Sequence, residues 1–193
     1  GEATLPLVIW LDGPGRRWGM DSQHNDAGAE SLYANIPGIK IVAPSNAYDA
    51  KGLMIAAIRD PDPVLFIDYA EVAAGEQPDV PDEAYTVPIG EAVVRQEGKD
   101  LTIVAWAPAT VDVDRALPDL DGTGISVEYI DLRSIKPMDL GTVLASVRKT
   151  GRLLVVDHAS YTHSFSSHVL AEVAQKAPGL TCRKIAFPDA PGP

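Results

Sequence analysis

Cysteine is almost missing from this sequence: Cys182 is the only one in 193 residues. No internal disulfide can form, so the chain must hold together by burial and hydrogen bonding alone. Cys182 stands in "LTCRKIAF", which reads as a strand and predicts a buried, inert thiol. Such sparing use of cysteine fits a reducing, cytoplasmic setting. Positive charge is also scarce. Sixteen Lys and Arg face 27 Asp and Glu, a net charge of −11, with a pI near 4.6. A nucleic-acid surface needs clustered cations against phosphate, and an anionic membrane needs the same, so neither partner is expected. No apolar run is long enough to span a bilayer. The opening "GEATLPLVIW" has neither a basic region nor a cleavage site, so it does not read as a signal peptide. It enters an apolar run at once, which points to further sequence upstream.

What is present is 46% hydrophobic residues arranged in alternation. That content supports one large domain or two small ones with real cores. "PLVIWL" (6–11), "IKIVAPS" (39–45) and "VLFIDY" (64–69) are apolar runs of the kind found in strands buried on both faces. Helical patterns lie between them at 29–36, ended by Pro37-Gly38, and at 47–60. Ser45 or Asn46 can cap the second, and positions 53, 54, 57 and 58 share its apolar face. Residues 71–88 are acidic, rich in Pro, Ala and Gly, and without period; they read as a linker. Beyond it, strands at 101–107, 125–133, 152–158 and 181–187 alternate with helices at 109–120, 139–149 and 165–177. The expected fold is α/β: two three-layer units with mostly parallel sheets, residues 1–70 forming a partial domain and 89–193 a complete one.

The chemistry is less legible. His24, in "DSQHNDAG", sits in a loop after the first strand, on the side where open α/β sheets bind ligands. A histidine there can hold or move a proton near neutral pH. The preceding "DGPGRRWG" follows neither of the common phosphate-loop spacings, so Arg16 and Arg17 are weak evidence for an anion site. His158, His163 and His168 are five apart and lack a Cys or Glu at ligand spacing, which argues against a metal. The serines around them have no nucleophile elbow. Asp157 and His158 read as a polar strand end, Asp131 with Arg133 as a structural ion pair, and Glu30, Asp60 and Asp62 as carboxylates of ion or structural use.

Several stretches together resemble one family. They are "LPLVIW", "QH" at 23–24, "IPGIKIVAPSNAYDAKGLMIAAIRDPDPVLFID", "YTVPIGEAVVRQEGKDLTIVAWA", "VEYIDLRSIKPMD", "SVRKTGRLLVVDHA" and "PDAPGP". In this order they are similar to the beta subunit of the thiamine diphosphate-dependent 2-oxoacid dehydrogenases, the pyruvate, branched-chain and acetoin enzymes of the transketolase superfamily. The resemblance implies the second half of a pyrimidine-binding domain followed by a transketolase-like C-terminal domain. It implies an alpha subunit that holds the diphosphate and Mg²⁺, an α₂β₂ tetramer, and acyl transfer to a lipoyl carrier. The cofactor carries the carbanion chemistry. The family's histidine after glutamine maps onto His24, with Gln23 beside it. A potassium ion maps onto the helix end at Ala57, Asp60 and Asp62, held partly by carbonyls.

The sequence also departs from that family. The glutamate that binds the cofactor's pyrimidine ring falls upstream, so no cofactor-binding residue is expected here and the chain alone should be inactive. "QHNDAGAES" replaces "QHSQ", with one extra residue before "IPG". Arg16, Arg17 and Trp18 replace small residues, which predicts a narrower or cationic pocket for an anionic acceptor. Relatives continue past "PDAPGP", and the acidic residue that docks the lipoyl acyltransferase falls near Gly179, so that docking is not implied by these residues. The alternatives are a split transketolase-like or carboligase subunit and a non-catalytic assembly or regulatory module.

Overall fold

The computed structural model describes residues 4–13, 28–75 and 77–190. In chain order these form β1 (Val8–Asp12), α1 (Ala29–Tyr33), β2 (Lys40–Val42), α2 (Ala47–Arg59) and β3 (Val64–Asp68). A 3-10 turn (Ala70–Ala74) leads to the stretch before β4 (Val93–Gln96). Then come β5 (Leu101–Ala105), α3 (Pro108–Asp121), β6 (Val127–Asp131), β7 (Ser134–Lys136), α4 (Leu140–Thr150), β8 (Arg152–Ser160), α5 (Phe165–Lys176) and β9 (Thr181–Phe187). The strands make two sheets, in the orders β1-β3-β2-β7 and β4-β6-β5-β8-β9. In each, all neighbours pair in parallel except one antiparallel strand, β7 on β2 and β4 on β6.

The expected α/β alternation is therefore present, with two differences. Strand β7 follows the linker in sequence yet extends the first sheet. The reversal lies at Arg133, whose φ of 55° is in the left-handed region. Such a conformation is costly for a residue with a side chain. It is held by the Asp131 carboxylate, which accepts Arg133 N–H at 3.1 Å, and by Glu91 O, which takes two guanidinium bonds. Strand β1, expected to be buried on both faces, instead lies at a sheet edge with β3 as its partner. Trp10 is 65% exposed, and Leu5, Leu7 and Ile9 are also exposed. An edge strand covers one flank only, and nothing among the described residues packs on these side chains.

Helix α2 shows how local signals resolve. Asn46, not Ser45, caps it: Asn46 Oδ1 accepts Asp49 N–H at 2.8 Å. Leu53 and Ala57 are buried as expected, but Ile58 is 65% exposed. Ser45 turns away to the second domain. Helix α1 is shorter than expected because Lys136 Nζ of β7 takes the carbonyls of Ala34 and Ile36 at 2.9 and 2.6 Å. Strand β8 runs on to Ser160, past the expected end at His158, because β9 continues to pair with it. Cys182 lies on edge strand β9 and is half-buried rather than buried; burial still pushes its thiol up. No helix among the described residues is long and apolar enough to cross a membrane.

Candidate functional site

His24, Gln23, Arg16, Arg17 and Trp18 lie outside the described residues. What the structure places is the pair of anchors on either side of them. Gly13, after β1, donates its N–H to Asp68 O at 2.5 Å. A Cβ on Gly13 would stand 2.7 Å from Cδ1 of Tyr69. Gly28, before α1, faces Ala159 of β8, where a Cβ would stand 2.6 Å from the alanine methyl. Both positions need glycine because another chain segment occupies the space of a side chain. Both anchors lie at the C-terminal ends of parallel strands, where α/β sheets form their binding crevices.

Between these anchors is a buried polar cluster drawn from both domains. Glu30 is 4% exposed. Its Oε1 accepts Tyr69 Oη–H at 2.6 Å and Trp106 Nε1–H at 3.2 Å. Burial first, and then the neighbouring Asp157, push the Glu30 carboxyl up to about 7, against the two hydrogen bonds. Burial also raises Asp157, although its oxygens accept the N–H groups of Ala159 and Ser166 at 3.1 Å each. The Tyr69 hydroxyl is held far above its ordinary value by burial and by Glu30. His158 pairs with Asp112 at 2.6 Å on the side of Asp157 and borders the same small void as Glu30, Tyr69 and Trp106. Close by, Glu71 is 3% exposed and neither of its oxygens has a hydrogen-bond partner among the described residues.

The three histidines near the C-terminus do not converge. His163 and His168 line a separate cleft of about 460 Å³ beside Ser31 and Lys136. Nor do Asp131 and Arg133 form the expected ion pair. Asp131 accepts the Ser45 hydroxyl at 2.9 Å and has Arg95 Nε at 3.7 Å. Arg133 reaches Asp49 at 3.0 Å. The strand-end turn leaves the Asp131 carboxylate on the Arg133 N–H and the guanidinium on Asp49. Burial raises the Asp131 carboxyl to about 7 despite Arg95. Arg95 and Arg133 line an open cleft of about 810 Å³ between the domains, with Asp49, Asp114 and Tyr48.

At the end of α2, Asp60 and Asp62 do come together, around an ammonium. Lys40 Nζ lies 2.7 Å from Asp60 and 3.3 Å from Asp62. Burial pushes the Asp60 carboxyl up, but Lys40 outweighs it and holds it below the usual range. The Ala57 carbonyl accepts Asp60 N–H at 3.2 Å. One of the two carboxylate charges is thus already met by Lys40, and the Ala57 carbonyl lies at the same helix end. Among the described residues no three acidic, imidazole or thiol side chains are grouped to hold a metal ion.

Comparison with known proteins gives this architecture its family. Residues 2–68 match the pyrimidine-binding domain of transketolase, and residues 90–193 match the transketolase C-terminal domain. The chain belongs to the transketolase family. It is 41% identical over 177 residues to the pyruvate dehydrogenase E1 component subunit beta of Acholeplasma laidlawii, covering 92% of this chain and 54% of that protein. It is 43% identical over 148 residues to the Bacillus subtilis counterpart, covering 77% and 46%. The beta subunit of an acetoin:2,6-dichlorophenolindophenol oxidoreductase from Cupriavidus necator is 42% identical over 180 residues, covering 93% and 52%. The chain thus spans about half the length of the curated relatives it matches. A split-gene transketolase, solved as an inactive beta4 tetramer, shares the transketolase fold with a TM-score of 0.78 at 22% identity, over 96% of this chain and 58% of that one.

The cluster around Glu30 escaped sequence reading. Glu30 was legible only as a carboxylate without a recognisable spacing. Its partners Tyr69 and Trp106 are 39 and 76 residues away, and no local pattern joins them.

Proposed function

We infer that this transketolase-family chain is part of the beta subunit of a thiamine diphosphate-dependent 2-oxoacid dehydrogenase or decarboxylase, working in the cytoplasm. The observation that carries the reading is the match to beta subunits of pyruvate and acetoin enzymes at 41–43% identity across both domains. The geometry is consistent with it: Gly13 and Gly28, the described residues that flank positions 14–27 in sequence, stand at the strand ends.

In this reading the chain pairs with an alpha subunit in an α₂β₂ enzyme, and the alpha subunit holds the diphosphate and Mg²⁺. The cofactor supplies the electron sink for decarboxylation. This chain's part is to close the site and present protein groups to the substrate. His24 transfers a proton or contacts the 2-oxoacid, with Gln23 beside it. Arg16, Arg17 and Trp18 shape an acceptor pocket that favours an anionic group. Potassium, where bound, takes backbone carbonyls near Ala57. A lipoyl acyltransferase receives the acyl group.

The test is reconstitution of the natural full-length polypeptide with its alpha partner, followed by 2-oxoacid-dependent reduction of an artificial dye. Pyruvate and branched-chain 2-oxoacids are compared with sugar phosphates as substrates. The expected result is 2-oxoacid turnover that falls by about 10²-fold or more in His24→Ala, the usual range for a positioned acid or base. Sugar-phosphate transfer in its place would move the chain to another branch of the superfamily. No turnover of either kind would leave an assembly role.

A further inference from the structure

We propose that Glu30 is a positioning residue: by accepting hydrogen bonds from Tyr69 and Trp106 together, its carboxyl clamps α1, and with it Gly28, onto both domains. The role in turnover rests on the function proposed above; the clamp itself does not.

Three observations converge on it. First, the three partners come from three places. Glu30 opens α1, Tyr69 follows β3 of the first sheet, and Trp106 follows β5 of the second. One oxygen atom therefore joins the helix to both sheets. Second, Glu30 lies two residues after Gly28, which is pressed against Ala159, so the backbone between anchor and clamp has little room. The Tyr69 ring also blocks a side chain at Gly13, so one tyrosine meets both Gly13 and Glu30. Third, α1 has only five residues and no side-chain N-cap bond. A helix this short is unstable by itself, and its place must come from tertiary contacts. Tyr69, Trp106 and Ala29 lie in one buried apolar cluster, so the clamp is dry and its hydrogen bonds are costly to break.

The groups facing the carboxyl set its response to pH. Asp157 approaches from β8, and His158, paired with Asp112, borders the same void. Glu71 acts on Tyr69 from the 3-10 turn. Among the described residues no lysine or arginine is an influence on Glu30. With the neutral acid favoured up to about pH 7, ionisation above it places a buried charge beside Asp157 and loosens the helix.

The test is amide hydrogen exchange across Ala29–Tyr33 between pH 6 and 9, on the natural full-length polypeptide. Wild type should exchange progressively faster above pH 7 than the intrinsic rate requires. Glu30→Ala should lose about tenfold in protection there, while Glu30→Gln, which keeps the acceptor oxygen, should match wild type at pH 6 and lose the excess pH response. Tyr69→Phe, which keeps the ring and removes one donor, should give an intermediate loss and serves if Glu30→Ala does not fold. In the reconstituted enzyme Glu30→Ala should lower kcat with KM within about twofold, and Glu30→Gln should restore it. Unchanged exchange at 29–33 in both Glu30→Ala and Tyr69→Phe overturns the clamp, whatever happens to activity. Localised loosening with no 2-oxoacid turnover by wild type would instead uphold the clamp and overturn the proposed function.

Discussion

The hydroxyl of Ser45 donates to Oδ1 of Asp131 at 2.9 Å, across 86 residues of chain. The same oxygen of Ser45 accepts the Ala107 N–H at 2.9 Å. One small side chain after β2 thus bonds one oxygen of a buried carboxylate and the N–H of a strained backbone position, since Ala107 has a φ of 47°. The junction of the two domains is polar at this point, and each group in it has lost its water. Ser45→Ala strips two buried groups of a partner at once. Chemical denaturation should show a loss of about 1–3 kcal/mol, larger than for a typical surface serine.

Glu71 offers the opposite case. It is buried with neither oxygen bonded among the described residues, and a buried polar group without a partner costs stability. Glu71→Leu is expected to raise unfolding stability by about 1 kcal/mol or more. An equal or lower denaturation midpoint in the variant would show that the carboxyl has a partner in solution.

Two buried carboxyls, Glu30 and Asp131, are both held near 7. Their unfolded values are those of ordinary carboxyls, so between about pH 4 and 7 the folded state binds more protons than the unfolded one. Stability therefore falls as pH rises through that window and levels off above it. Carboxyls held low by their partners, such as Asp60 and Asp139, act in the other sense and lose their contribution only at acid pH. Glu30→Gln removes one of the two proton-binding groups. The drop in stability between pH 5 and 8 should be smaller in the variant than in wild type, measured by urea unfolding at each pH.

Gly28→Ala tests the anchor directly. The new methyl would overlap Ala159, so α1 or β8 must shift. A cost of about 1–3 kcal/mol is expected from overpacking. The double variant Gly28→Ala, Ala159→Gly should recover much of that loss, because it returns the space. Failure of the second change to rescue would mean that the added methyl is opposed by something other than the Ala159 side chain, since the φ of Gly28 is an ordinary −58°.

At the end of α2, Lys40→Met leaves Asp60 and Asp62 without their ammonium. The pair is partly exposed, so the stability change should be small, about 0.5 kcal/mol. If potassium occupies this helix end, the variant should need less potassium for half of its thermal stabilisation, measured against choline chloride. No potassium-specific effect in either protein would remove the ion from this site.

The sequence by itself determined the α/β alternation, because the period of apolar residues is a local property of each strand and helix. It determined the strand at 181–187 to the residue, and the start of the helix at Ala47, where Ser45 or Asn46 could cap it. It also carried the likeness to a family, since long stretches keep their order. Tertiary structure decided everything that depends on which side chains meet. It moved β7 into the first sheet and left the apolar side chains of β1 exposed at an edge. It paired the Arg133 guanidinium with Asp49 and not with the Asp131 carboxylate two residues away. It gathered Glu30, Tyr69 and Trp106, whose meeting no spacing could announce. The reason is physical: a local pattern reports which face of an element is buried, while a buried polar contact depends on what arrives from elsewhere in the chain to satisfy it.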